Sequence, residues 1–370
     1  MRRRNSVALL FVFLLTAFSL ANSQTAPSSA PPPDPTSSTQ APSSQPPSAP
    51  ASPNGNSRQG GTPPDAHITT GPAAASATQN PDSADSGVFV FRKQVDEVVL
   101  HATVIDNKQH IVTNLDKGSF TVFEDGHPQT ITSFHREDIP VALCIVIDNS
   151  GSMREKRAKV NAAALNLVRS SNPSDEVCVV NFNDEYYLDQ DFTSSINKLK
   201  EGLEKIESRG GTALYDAVVA SAVHLKEHAR LEKKVIFVVT DGDDNESSET
   251  LEQAVRRLQA ENGPTLYAIG LLEGEDHAKH ARRALQIMCE RTGGIAFLPK
   301  TLDEVDAISR AVAHDIRSQY TIGYKPTTPR TQGGYREVKV EARSPDRSSR
   351  LTVRTKSGYY AGPEPASGSQ

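Results

Sequence analysis

Cysteine is scarce in this 370-residue chain, which holds three: Cys144, Cys178 and Cys289. Three scattered thiols exclude a disulfide framework. Cys144 and Cys178 both fall in apolar runs that read as core strands, where the default is a pair of small buried hydrophobes. A bridge between them requires both side chains on one face of the sheet. Positive charge is also short: the net charge is -5, which leaves no electrostatic footprint for nucleic acid. The longest N-terminal apolar stretch, Val7 to Leu20, is broken by Thr16 and Ser19 and falls short of the ~20 residues of a comfortable transmembrane helix. No phosphate-binding P-loop occurs. His224, His228, His277 and His280 have helical spacing but no H-E-x-x-H around them, so they read as exposed helix residues.

The first residues are those of an export signal: Arg2, Arg3 and Arg4, the apolar stretch, then Ala21-Asn22-Ser23 as a small-x-small cleavage site. Residues 1–23 are therefore expected to be a signal peptide, with an uncleaved anchor as the alternative. If it is cleaved, no stable transmembrane segment remains. The protein is expected to be exported: periplasmic, attached to the cell envelope or secreted. From 24 to 86 the chain is Pro, Ser, Ala, Thr and Gly, with more than half of its prolines. Such a segment buries too little to offset the entropy of ordering and is expected to be a disordered linker. A spacer across an envelope, a glycosylated stalk and a plain solvated tail all fit it. A short disordered tail is expected over 362–370.

Between these ends, apolar strands alternate with amphipathic helices. Val141–Ile147, Val177–Phe182, Val235–Val239, Thr265–Leu271 and Ile295–Leu298 read as strands, with Tyr186–Leu188 as a short edge strand. Helical spacing runs through Val160, Ala164 and Leu167; Ile196, Leu199, Leu203 and Ile206; Leu214, Val218, Ala222 and Leu225; Leu251, Val255 and Leu258; Ala281, Leu285 and Met288; and Leu302 to Ile316. This alternation predicts an α/β fold, a doubly wound, mostly parallel Rossmann-like sheet over 139–318. Two β segments flank it, at 87–138 and 319–361. The first holds strands at Val88–Phe91, Val98–Ile105 and Phe120–Phe123 and an Asp125-Gly126 turn. The second holds strands at Tyr320–Tyr324, Glu337–Ala342 and Leu351–Thr355, with Pro345-Asp346 between the last two. Neither flank is long enough for a good core, so the two are expected to pack together as one antiparallel sandwich around an inserted α/β domain.

The first α/β strand ends in Asp148-Asn-Ser-Gly-Ser152, and the fourth ends in Thr240-Asp241-Gly242. Carboxylate and hydroxyl oxygens without His or Cys are ligand chemistry for a hard divalent cation. A strand-to-helix loop with an Asp or Ser cap is the other reading of the first motif taken alone. With strand order 3-2-1-4-5-6, both aspartates face the crevice where the order reverses, and Thr212, after Gly210-Gly211, can reach it. Asp-x-Ser-x-Ser, the later Thr and the strand-end Thr-Asp-Gly resemble the metal-ion-dependent adhesion site of von Willebrand factor type A domains. The layout, down to Lys356-Ser-Gly-Tyr-Tyr360, resembles the von Willebrand A-related proteins common in Acidobacteria-type genomes.

The resemblance implies Ser150, Ser152 and Thr212 as direct ligands of Mg²⁺ or Mn²⁺, with Asp148 and Asp241 supplying negative charge. It also implies a protein partner whose Asp or Glu completes the ion's coordination. The expected function is thus an exported, metal-dependent protein-binding module of adhesion or scaffold type; a metal-stabilised structural or sensor domain is the alternative. No enzyme is expected, because neither serine lies in a G-x-S-x-G elbow and no Asp-x-Asp pair follows the first strand. Gly151 is expected to permit the tight turn, and Gly210-Gly211 the close backbone approach. The acidic run Asp241-Gly-Asp-Asp-Asn-Glu246 reads either as a second ion site or partner-repelling rim, or as a solvated loop with caps for the next helix.

Overall fold

The computed structural model describes residues 97–205, 207–272, 276–344 and 350–362, all in the unit Gly87–Gln370. The expected signal peptide, linker, Val88–Phe91 strand and Pro345-Asp346 turn lie outside the described residues, as do Ile206 and positions 363–370. No described helix is long and apolar enough to cross a membrane.

Four strands come first: β1 (Val98–Ile105), β2 (Phe120–Glu124), β3 (His127–Gln129) and β4 (Ile131–His135). The chain then alternates through β5 (Val141–Asp148), α1 (Arg157–Ser170), β6 (Glu176–Phe182), β7 (Tyr186–Thr193), α2 (Ile196–Glu204), α3 (Leu214–His228) and β8 (Lys233–Thr240). It continues with α4 (Leu251–Leu258), β9 (Thr265–Gly270), α5 (Asp276–Thr292), β10 (Ala296–Phe297) and α6 (Glu304–Arg317). It closes with β11 (Tyr320–Tyr324), β12 (Gly334–Ala342), β13 (Thr352–Arg354) and β14 (Gly358–Ala361).

The α/β sheet has six strands in the order β10-β9-β8-β5-β6-β7, all parallel except the edge strand β7. β5 lies between β6 and β8, and every one of its residues is buried. That is why it reads as an unbroken apolar run rather than an alternation. Leu143, Ile145 and Ile147 face α1, α2 and α6, whereas Ala142, Cys144 and Val146 face α3, α4 and α5. The sheet is therefore covered on both sides, as a doubly wound fold requires. β7 is longer than the three-residue edge strand read from the sequence, and its polar alternation explains the shortfall: burial along it is only partial.

The flanking strands interleave. One antiparallel sheet has the order β13-β1-β11-β4 and the other β14-β12-β2-β3, so each mixes strands from before and after the α/β domain. Leu100 pairs with Ile322 and Val122 with Val340, and both pairs belong to one shared core. At its centre the buried carboxylate of Glu124 accepts the Tyr324 hydroxyl at 2.5 Å, the Tyr359 hydroxyl at 2.9 Å and Arg336 Nη1 at 3.1 Å. The Asp125-Gly126 turn joins β2 to β3 with φ of 48° and 78°, a pair of positive values that favours this dipeptide in a two-residue hairpin.

Cys144 and Cys178 are register partners on β5 and β6, their Cα atoms are 4.8 Å apart, and they form a disulfide. Reading them as separate small hydrophobes is thus corrected. Parallel in-register pairing puts both side chains on the α3–α5 face, a relation invisible in their 34-residue separation. Cys289 is free and buried. Closing a loop of that length stabilises a fold by about 2–4 kcal/mol. The double variant Cys144→Ala/Cys178→Ala is expected to lose stability of that order in urea unfolding, and reducing agent should lower the parent's midpoint similarly. A parent midpoint indifferent to reducing agent would show that the bridge contributes nothing.

Candidate functional site

β5 and β8 are neighbours at the reversal of strand order, so their carboxyl ends open on one crevice. Asp148 ends β5, and Asp241 follows Thr240 at the end of β8. The Asp148 carboxylate is wholly buried: Oδ1 accepts the Ser150 backbone N–H at 2.7 Å, and Oδ2 accepts the Thr240 hydroxyl at 2.6 Å. From there the site runs as a chain of oxygens. Ser150 Oγ lies 3.1 Å from Ser152 Oγ, and Ser152 Oγ donates to Asp241 Oδ1 at 2.7 Å. Lys156, one residue ahead of α1, donates from Nζ to Asp241 Oδ2 at 2.7 Å. Thr212 is buried and reaches the group through Gly242, where an added Cβ would stand 3.3 Å from Thr212 Oγ1. Asp148, Ser150, Ser152, Thr212 and Asp241 are thus brought together from three distant stretches of chain.

Two loops are fastened to each other to achieve this. Arg209 N–H donates to the Asn149 carbonyl at 2.8 Å and Gly151 N–H to the Gly210 carbonyl at 3.2 Å. Asn149 is completely buried, and its Nδ2 donates to Asn181 Oδ1 at 2.8 Å. Glycine is needed at Gly210, where φ is +74° and a Cβ would lie 2.2 Å from Asp184 Oδ2. Gly151 is different. A Cβ there meets only the Gly210 carbonyl at 3.9 Å, so the expected steric need for glycine in this turn is not found.

The acidic run after β8 holds Thr212 in place. Asn245 accepts the Thr212 N–H at 2.8 Å through Oδ1, and its own N–H returns a bond to the Thr212 carbonyl at 3.0 Å. Asp244 Oδ2 accepts the Tyr215 N–H at 2.9 Å in the first turn of α3, where a carboxylate is favoured by the helix dipole. Asp243 pairs with His280 at 2.8 Å. These bonds give the run a structural role, fastening it to Thr212, to α3 and to His280. Thr250 and Gln253 form a reciprocal capping box that starts α4. His224 is not an exposed helix residue as expected: it is half-buried, paired with Asp191 at 2.9 Å and stacked on Phe192. His228 is exposed, and the His277 side chain lies outside the described residues.

Burial pushes the Asp148 carboxyl up to about 6, and the like charge of Asp241 adds to the rise, while the bonds from Thr240 and Ser150 oppose it. Two carboxylates facing one buried crevice repel each other, an arrangement that a cation relieves. Lys156 supplies one such charge to Asp241. Among the described residues no group of three or more His, Cys, Asp or Glu is arranged to hold a metal. Any ion here would draw on the serine and threonine hydroxyls, and an all-oxygen set of two carboxylates and three hydroxyls fits Mg²⁺ or Mn²⁺.

Thr240, Asn149, Asn181 and Lys156 support the site and were not singled out from the sequence. Thr240 alone carried a signal, as the residue before the strand-end aspartate. Replacing Thr240 by Val leaves a buried carboxylate short of a donor and is expected to cost about 1–3 kcal/mol in urea unfolding. Thr240→Ser should recover most of that loss; equal losses in the two variants would show that the hydroxyl is not what matters.

Residues 143–244, which include all five residues above, match the family model of the von Willebrand factor type A domain. No curated protein is similar to the chain at a significant level. Several solved structures are similar to the chain at low identity. A von Willebrand factor type A protein from Catenulispora acidiphila is 13% identical, with a TM-score of 0.41, covering 73% of this chain and 74% of its own. The vWF domain of the type V pili tip protein Mfa5 from Porphyromonas gingivalis is 14% identical, with a TM-score of 0.40, covering 48% of this chain and 95% of its own. An aerotolerance-related membrane protein from Bacteroides fragilis is 19% identical, with a TM-score of 0.39, covering 48% and 98%. The α/β part of this chain has the fold of a von Willebrand factor type A domain.

Proposed function

We propose that this protein is an exported, metal-dependent protein-binding module whose crevice at the ends of β5 and β8 takes Mg²⁺ or Mn²⁺. The reading rests on one observation above the others: three hydroxyls and two carboxylates meet at the switch point of the sheet, with an ammonium group on one carboxylate. Ser150, Ser152 and Thr212 would hold the ion directly, with Asp148 and Asp241 compensating its charge. Neutral hydroxyl ligands leave a bound ion electrophilic, so that it offers a coordination position to a further carboxylate. The expected partner is a protein presenting Asp or Glu at that position. Binding rather than catalysis is proposed, because the hydroxyls of Ser150, Ser152 and Thr212 are the groups the ion would take as ligands, and neither serine lies in a G-x-S-x-G elbow. Export is supported by the signal-like N-terminus and by the Cys144–Cys178 disulfide, which persists in oxidising compartments. A metal-stabilised structural domain is the second reading, and partner binding separates the two.

Calorimetric titration of Mg²⁺ and Mn²⁺ into the chelator-treated protein tests the site. Binding is expected in the parent and should be lost in Asp148→Ala and Ser150→Ala; a parent that binds neither ion refutes the proposal. Partner capture that survives chelation would leave only the structural reading. Lys156 competes with an ion for Asp241, so Lys156→Met is expected to bind Mg²⁺ more tightly, by roughly tenfold or about 1.4 kcal/mol. Weaker binding in that variant would show that the ammonium instead helps to hold Asp241 in position.

A further inference from the structure

The opposite end of the α/β sheet carries a second feature, unrelated to the crevice. A cavity of about 420 Å³ lies where the amino-terminal ends of the parallel strands meet the sheet β13-β1-β11-β4. Lys233 and Lys234 line it from the start of β8, His101 from β1, Thr321 from β11 and Lys356 from the loop ahead of β14. At ~3.3 Å per strand residue, it stands roughly 25 Å from Asp241 along β8.

Among the described residues, the lysines of this cavity form no direct ion pair. Lys356 is only 9% exposed, yet its ammonium has no hydrogen-bond or ion-pair partner among the described residues. Lys234, half-buried, is in the same position. Lys233 is 3% exposed and gives its Nζ to the Ile316 carbonyl at 2.6 Å, a neutral acceptor. His101 bonds Thr321 through Nδ1 at 3.2 Å, which leaves its second ring nitrogen without a partner among the described residues. Carboxylates act on these groups only at a distance, Asp138, Asp315 and Asp175 on Lys233 and Glu232 and Glu176 on Lys234. Glu97 Oε1 accepts the hydroxyls of Thr132 and Ser133, and Glu232 is exposed. Glu261, the carboxylate felt by Lys356, is ion-paired with Arg330.

Lys356 is held in place by backbone packing. Ser357 N–H donates to the Arg291 carbonyl at 3.1 Å at the end of α5. Gly293, with φ +87°, approaches so closely that a Cβ would lie 2.6 Å from the Thr355 carbonyl carbon and 2.8 Å from Lys356 N. The loop cannot swing its lysine to water without leaving that contact. Burying an unpaired ammonium is costly unless something compensates it.

From this cavity we infer a binding site for a doubly charged oxyanion, phosphate or sulfate, free or carried on a small organic molecule. Two ammonium groups without partners match a dianion in charge, and the hydroxyl, imidazole and ammonium groups around them match its several acceptor oxygens. The volume exceeds what the bare ion needs and lies in the range of small-molecule pockets. Desolvation already pulls the Lys356 and Lys233 ammonium groups down to about 8 and the His101 imidazole well below its usual range. A bound dianion would restore their charge.

Thermal unfolding and calorimetry on the full chain, chelator-treated and at constant ionic strength, test the inference with inorganic phosphate, sulfate, glycerol 1-phosphate and acetate. Phosphate is expected to raise Tm by several degrees, and acetate to leave it unchanged. Tighter binding of glycerol 1-phosphate than of phosphate identifies an organic ligand, and equal binding identifies the free ion. Lys356→Met should lose the phosphate response and at least tenfold in affinity, while being as stable as the parent without phosphate. Should that variant fail to fold, Lys234→Met carries the same expectation. Asp148→Ala should keep the full response, which separates this site from the proposed metal site. No response of the parent to phosphate, an equal response to acetate, or a response retained in the lysine variants overturns the inference.

Discussion

The pairing of β5 with β8 is the constraint on which the rest of the molecule depends. Ile147 is paired with Val239, which brings Thr240 level with Asp148 and sets Asp241 at the rim of the same crevice. β5 is buried on both faces, with different side chains filling the two cores. A slip of one residue would exchange those two sets, so the register is fixed by packing and not by the polar groups at its end. The apolar strands therefore position the carboxylates, and the carboxylates carry the electrostatic cost of being placed there. Thr240, the Ser150 N–H and the Lys156 ammonium each offset part of that cost.

Parallel strands direct all their carboxyl ends to one side of the sheet. The loops with the serines, Thr212 and the acidic run gather on that side. The amino-terminal side is left to the sandwich. β1 has β11 on one edge and β13 on the other, so the strand that precedes the α/β domain finds both neighbours only after that domain has been traversed. The Glu124 carboxylate, with Tyr324, Tyr359 and Arg336 around it, joins both sheets and both flanks in a single buried polar cluster. Its members satisfy one another, which is the condition for burying such a charge at tolerable cost. The cation-lined cavity sits where this sandwich abuts the sheet. There the same rule is broken: Lys356 is buried without a partner among the described residues.

The alternation of strands and helices, the two-sided burial of β5 and the convergence of Asp148 and Asp241 were legible because each is written locally. Apolar periodicity names the element, and strand order in a doubly wound sheet leaves few alternatives. β7 was under-read because its polar alternation resembles a loop, and β4 and β14 because they are short and weakly patterned. The pairing of Cys144 with Cys178 was legible only as an alternative, since nothing in a 34-residue separation states which face of a neighbouring strand a side chain takes. The same holds for His224, which reads as solvent-facing on its helix until the β7 edge brings Asp191 and Phe192 to it.

The sequence by itself determined the class of fold and the residue types at the carboxyl edge of the sheet, because hydrophobic patterning and strand-end motifs act over a few residues. Only the tertiary structure decided which groups oppose one another across long separations: Thr240 on Asp148, Lys156 on Asp241, and the lysines beside His101. Those contacts depend on register, face and the packing of two sheets against a third, and none of these has a local signature in the chain.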